Sequence, residues 1–154
     1  MKLLIASLLT LGFSLNAMAE DMDEIHECLR HWGKHPFAKE NPEYRTIKSK
    51  VKVMGVGDDM VDMTKTDKPE LILLKPAVNV MSKNVISLMN PNGWYCIKGK
   101  VDVLGKTEVN LHCKAHLASS SDGATVLGAD ESDAGVTVLG KSTLNRVGCK
   151  TATN

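Results

Sequence analysis

Imidazole, thiol and ammonium groups follow one another in Leu111-His112-Cys113-Lys114-Ala115-His116, a run that could ligate a transition metal or bind an acidic ligand. On a straight strand His112 and His116 lie about 14 Å apart, at a rise of about 3.4 Å per residue. One ion therefore reaches both only if the backbone bulges or turns between them. No third ligand can be named, and Cys113 is lost as a ligand if it is oxidised. His112 and His116 stand as the metal candidates, with solvent-facing strand histidines as the simpler reading and no cofactor expected. Alternation extends the same outward row into a candidate ligand surface of Trp94, Lys98, Lys100, Asp102, His112, Lys114 and His116, with Trp94 and Tyr95 able to stack on a sugar.

Other clusters carry less chemistry. His26, His31 and His35 are split by a helix stop at Gly33, so the helical His-x3-His chelate is not expected. Asp58, Asp59, Asp62 and Asp67, and then Asp130, Glu131 and Asp133, lack the spacing of an EF-hand or a calcium-binding nonapeptide and read as solvated loops. Ser119 to Ser121 lack the nucleophile elbow. Gly55-Val56-Gly57 has only the beginning of a dinucleotide fingerprint. No convergent acid, base and nucleophile emerges, so no catalytic residue is assigned and a non-enzymatic role is favoured.

The elements that would position these residues come from an internal repeat. Val-x-Val-(Met/Leu)-(Gly/Ser) recurs at 51–55, 78–82, 101–105, 124–128 (Ala in place of the first Val) and 136–140. The central units, 71–93 and 94–116, each hold three short apolar segments. Three strands per coil predict an all-β fold, a short parallel β-helix (β-solenoid) of about four coils, with Gly55, Gly105, Gly128 and Gly140 at corners. An antiparallel sandwich or barrel is the rival, weakened by scarce hairpin signals. Residues 41–150 would form the solenoid and 151–154 a disordered tail.

Residues 21–32 predict an amphipathic helix, N-capped by Asp21, with Met22, Ile25, Cys28, Leu29 and Trp32 on one face and Gly33 at its end. With a linker it makes a capping element over residues 20–40 that covers the open solenoid end or docks along its side. The short spacing between the last two repeats makes 109–115 and 141–149 neighbours. That predicts a Cys113–Cys149 disulfide and leaves Cys28 with Cys96.

Residues 1–19 contain one charge, Lys2, then an apolar run and Ala17-Met18-Ala19 before Glu20, the layout of a cleavable export signal. Interruption by Ser7, Thr10, Gly12 and Ser14 makes the run too short to span a bilayer, so no membrane span is expected after cleavage. Four cysteines in the remaining chain fit an oxidising compartment, periplasmic or extracellular. Removal of Lys2 leaves 18 basic and 18 acidic side chains, with no long-range field to draw nucleic acid. The expected function is an exported structural or interaction protein whose faces bind a protein or glycan partner of the envelope or exterior, with self-association open at its ends. A carbohydrate-binding or carbohydrate-active protein is the alternative.

Overall fold

The computed structural model describes residues 4–49, 52–75, 79–97, 101–103, 106–119, 124–126, 129–130, 136–138 and 141–149. A long helix, α1 (Leu4–Trp32), comes first. A four-stranded parallel sheet then runs β1 (Arg45–Lys48), β3 (Glu70–Lys75), β5 (Gly93–Ile97), β8 (His116–Ser119). The larger sheet contains β2 (Lys52–Asp62), β4 (Asn79–Leu88), β6 (Val101–Val103), β7 (Lys106–His112), β9 (Ala124–Val126), β10 (Ala129–Asp130), β11 (Val136–Val138) and β12 (Lys141–Val147). The valine strings pair backbone to backbone, in parallel and in register: Val53 with Val80, Val80 with Val103, and Val138 with both Val103 and Val126.

Three layers follow from the apolar pattern. One core lies between the sheets, where Ile72, Leu74, Tyr95 and Ile97 face Met60, Ile86, Leu88, Val109 and Leu111. In the second, Leu71, Leu73, Cys96 and Ala118, on the opposite face of the small sheet, pack against Ile25, Cys28 and Leu29 of α1. Burial on both faces explains why 71–74 is an unbroken apolar run, all of it buried, where a sheet with one wet face would alternate. The helix is tied to this layer by the Cys28–Cys96 disulfide, Cα to Cα 5.7 Å, and by an ion pair between Asp21 and Lys75 at the end of β3. At the other end of the fold Cys113 is bonded to Cys149, Cα to Cα 5.8 Å.

This architecture corrects the all-β solenoid. The chain is mixed, two parallel sheets with a helical layer, because an expected strand break does not form. Gly55 does not end a strand: β2 runs straight through it, as β4 does through its partner Ser82, so the second and third segments of a unit fuse and only two sheets form. Gly105, Gly128, Gly140 and the 151–154 tail lie outside the described residues. The helix does not cap an end but docks along the side, the other placement expected of it, with its apolar stripe on the face of the small sheet. Nor does it begin at Asp21, which sits inside α1, the preceding residues having no proline to stop helix propagation. Its C-terminal end agrees with the sequence: Gly33 takes φ +69° and donates to the Leu29 carbonyl at 3.1 Å, the left-handed stop that glycine adopts most readily.

Candidate functional site

Asp62 closes β2 by strand alternation on the same face as the buried Met60, and it is only 2% exposed. An acid so placed needs donors, because an uncompensated buried carboxylate is costly. Three residues supply them. The Arg45 guanidinium, at the start of β1, donates to Asp62 Oδ2 at 3.0 Å and grips both oxygens of Glu70, at the start of β3, at 2.7 and 3.2 Å. Tyr95 of β5 donates its hydroxyl to Asp62 Oδ2 at 2.8 Å. Thr64 gives Asp62 both its hydroxyl and its backbone N–H. Asn90, fully buried, donates to Glu70 Oε2 at 3.0 Å, and its backbone N–H donates to the Tyr95 oxygen at 3.3 Å.

The electrostatics follow from that enclosure. Burial raises the Asp62 carboxyl, but hydrogen bonds from Thr64 and Tyr95 and the charge of Arg45 outweigh it and hold the group below the usual carboxylate range. Burial first, and then the adjacent Asp62, push the Tyr95 hydroxyl well above the ordinary tyrosine value. Arg45 is driven further toward its charged form, chiefly by the Glu70 hydrogen bond. Asp62, Tyr95 and Arg45 are thus each held in one protonation state at neutral pH.

The outer face of the Arg45–Glu70 pair borders an open cleft of about 630 Å³ that Phe37, Asn41, Glu43 and Tyr44 also line. The 36–44 segment folds over the start of β3 to make its wall. Burial and the nearby Asp21 raise the Tyr44 hydroxyl, so it stays a neutral phenol. The cleft thus combines two aromatic rings with a planar, bidentate charged pair, a surface that can stack on one face of a ligand and hydrogen-bond its edge.

The sequence-derived site residues lie elsewhere. Trp94 is half-buried in an aromatic corner, stacked on His116 with ring centroids 3.8 Å apart and edge-on to Trp32 at 5.2 Å and Phe37 at 5.7 Å. Tyr95 is fully buried. A turn at Cys113 and Lys114 separates His112, ending β7 in the large sheet, from His116, beginning β8 in the small one. His112 Nδ1 accepts the Lys114 backbone N–H at 3.2 Å. Burial and Arg146 lower the His116 imidazole. Among the described residues no group of three or more His, Cys, Asp or Glu could hold a metal ion. Asp102 pairs through its backbone with Asn79 and Thr137, and Lys98 and Lys100 lie outside the described residues.

Of the acids read as solvated loops, Asp58 and Asp62 belong to β2, with the register shifting between Asp58 and Met60 as in a β-bulge, while Asp67 is exposed. The network around Asp62 escaped the sequence reading. Its signal was available: Met60-Val61-Asp62 continues a strand alternation that turns Asp62 inward. Comparison with protein-family models, with curated proteins and with solved structures finds no match.

Proposed function

We propose that this chain is an exported, non-enzymatic binding protein whose ligand seats in the cleft between residues 36–44 and the start of β3. The observation that carries this reading is the mutual saturation of Arg45, Asp62, Glu70 and Tyr95. Arg45 and Glu70 give the cleft a polar floor that the buried Asp62 and Tyr95 hold from behind, and the four keep no acid, base or nucleophile in reserve. Export is supported by the signal-like residues 1–19 and by the two disulfides. Among the described residues, no helix is long and apolar enough to cross a membrane. The contacts of α1 with the small sheet named above, from Asp21 onward, lie beyond residue 19, so removal of residues 1–19 would leave them in the chain. The mass of the chain recovered from an expressing cell tests this, the expected amino terminus being Glu20.

A carbohydrate ligand is the second reading, favoured by Phe37 and Tyr44 beside the Arg45–Glu70 pair. Saturation-transfer NMR against neutral and acidic oligosaccharides and against peptides tests both. Binding that disappears in Phe37→Ala and Tyr44→Ala, without turnover, is the expected result. Turnover abolished by Glu70→Gln would overturn the non-enzymatic reading, and binding that ignores both aromatic substitutions would move the ligand out of this cleft.

A further inference from the structure

On the other side of the 33–39 segment lies a smaller cleft of about 340 Å³, lined by His26, Leu29, Arg30, Gly33, His35 and Lys39. Four of these six residues carry a cationic or imidazole side chain and none carries a carboxylate. Basic residues at a helix C-terminus are ordinary complements of the helix dipole, which accounts for Arg30. It does not account for His35 and Lys39, which lie beyond the helix and return to it because the chain reverses at Gly33. Two of the last carbonyls have partners without these charges, the Leu29 oxygen being capped by the Gly33 N–H and the Trp32 oxygen by the Lys34 N–H at 2.7 Å.

The arrangement is held in place and left open. His26 Nε2 is 3.2 Å from the Glu40 carbonyl, to which it donates, fixing the return of the segment onto α1. Leu29 forms a buried apolar floor, while Arg30 and Lys39 are exposed and make no ion pair among the described residues. His35 stacks on Phe37, and its Nδ1 is buried without a hydrogen-bond partner, so the protein leaves that polar edge unsatisfied.

We propose that this cleft binds a phosphate-type oxyanion, with Arg30 and Lys39 supplying charge and His26 and His35 flanking it. Arginine matches the geometry of two phosphate oxygens and lysine acts as a point charge. The balanced net charge of the chain is compatible with this, because short contacts, and not a long-range field, would provide the affinity. The anion could be free or the headgroup of a lipid, two sources with the same recognition chemistry.

The test uses the folded protein with both disulfides formed. Inorganic phosphate is titrated while the His26 and His35 ring resonances are followed by NMR, and phosphatidylglycerol–phosphatidylcholine vesicles are offered in a parallel sedimentation assay. Progressive shifts of both rings are expected, with affinity falling about tenfold in Arg30→Gln and again in Lys39→Gln, each removing one charge-assisted contact. Both changes are at exposed positions, and Lys106→Gln, exposed on β7, should leave binding unchanged. Vesicle binding without phosphate shifts, abolished by the two substitutions, would assign the same site to a headgroup. Silence toward both probes, or undiminished binding in the double variant, would overturn the proposal.

Discussion

The Tyr95 hydroxyl donates to Asp62 Oδ2 across 2.8 Å, joining the centre of the small sheet to the end of an edge strand of the large one. The same carboxylate oxygen takes the Arg45 guanidinium at 3.0 Å, so two strands of the small sheet converge on one buried charge of the large one. The polar floor of the cleft and the spacing of the two sheets therefore depend on the same few atoms.

Replacing Tyr95 by Phe removes that donor and orphans the Asn90 N–H, with little change in volume. The expected cost is about 1.5–3 kcal/mol, the range for a hydrogen bond to a charged group. The pH dependence has a definite sign. Asp62 is depressed below its ordinary value of 3.8, so its contribution is present above that value and lost as pH falls through the folded value. With one donor fewer the folded value rises toward the ordinary one. Urea unfolding should then show a gap between wild type and variant that is wide at neutral pH and narrows as the pH falls below 3.8 and through the folded value of the carboxyl. An equal gap at both would detach the loss from Asp62.

How much of this could be read in advance depended on which physical signal each residue carried. The Cys113–Cys149 bond was legible because the repeat set β7 beside β12, and the observed register pairs Val147 with His112. The helix face was legible from its 3.6 period, and its end from Gly33. The corner at Gly55 was misread because glycine permits a bend without requiring one, and ladder hydrogen bonds to β4 carried the strand through. The wall of the main cleft was opaque for a different reason. Residues 33–44 have no periodicity, and their path is set by tertiary contacts such as His26 with the Glu40 carbonyl, which no local pattern encodes.

Gly93 should tolerate no side chain. A Cβ there would sit 2.5 Å from Tyr95 Cε2 and 2.8 Å from its hydroxyl oxygen, and the ring, fully buried and hydrogen-bonded at its tip, has nowhere to move. Gly93→Ala should cost about 1–3 kcal/mol, the usual penalty of overpacking. It should also displace Tyr95 from Asp62. In the double variant Gly93→Ala/Tyr95→Phe the losses should add up to less than their sum, because both break the same contact. Chemical denaturation of the four species measures this, and strict additivity would contradict it.

His116 titrates below the usual imidazole value of 6.5, first because it is desolvated against Trp94 and second because Arg146 is near. The folded protein thus binds the proton less readily than the unfolded chain. Acidification therefore costs the folded state: stability is unaffected by His116 above the ordinary value and declines as pH falls from it toward the folded one. An NMR titration of the His116 ring should give a midpoint below 6.5. Trp94→Ala should move it upward, by returning water to the ring. A midpoint unaffected by Trp94→Ala would leave Arg146 as its cause, and Arg146→Gln would then have to move it.

The two disulfides should differ in how they open. Cys28 and Cys96 are both 0% exposed, inside the core shared by α1 and the small sheet, whereas Cys149 is exposed and Cys113 partly so. A reductant's thiolate must reach a sulfur to attack it. It therefore meets Cys113–Cys149 in the native protein and reaches Cys28–Cys96 only when the helix lifts from the sheet. Thiol trapping followed by mass spectrometry should show two alkylated sites, 113 and 149, well before 28 and 96. The buried bond spans 68 residues, and chain-entropy arguments give about 4 kcal/mol for closing a loop of that size. Cys28→Ala/Cys96→Ala should accordingly lose about that much stability, and also the protection of the Ile25 and Leu29 amides in hydrogen exchange. Cys113→Ser/Cys149→Ser should instead loosen β12 and leave those amides protected, and simultaneous alkylation of all four thiols would show that the helix is not held against the sheet as described.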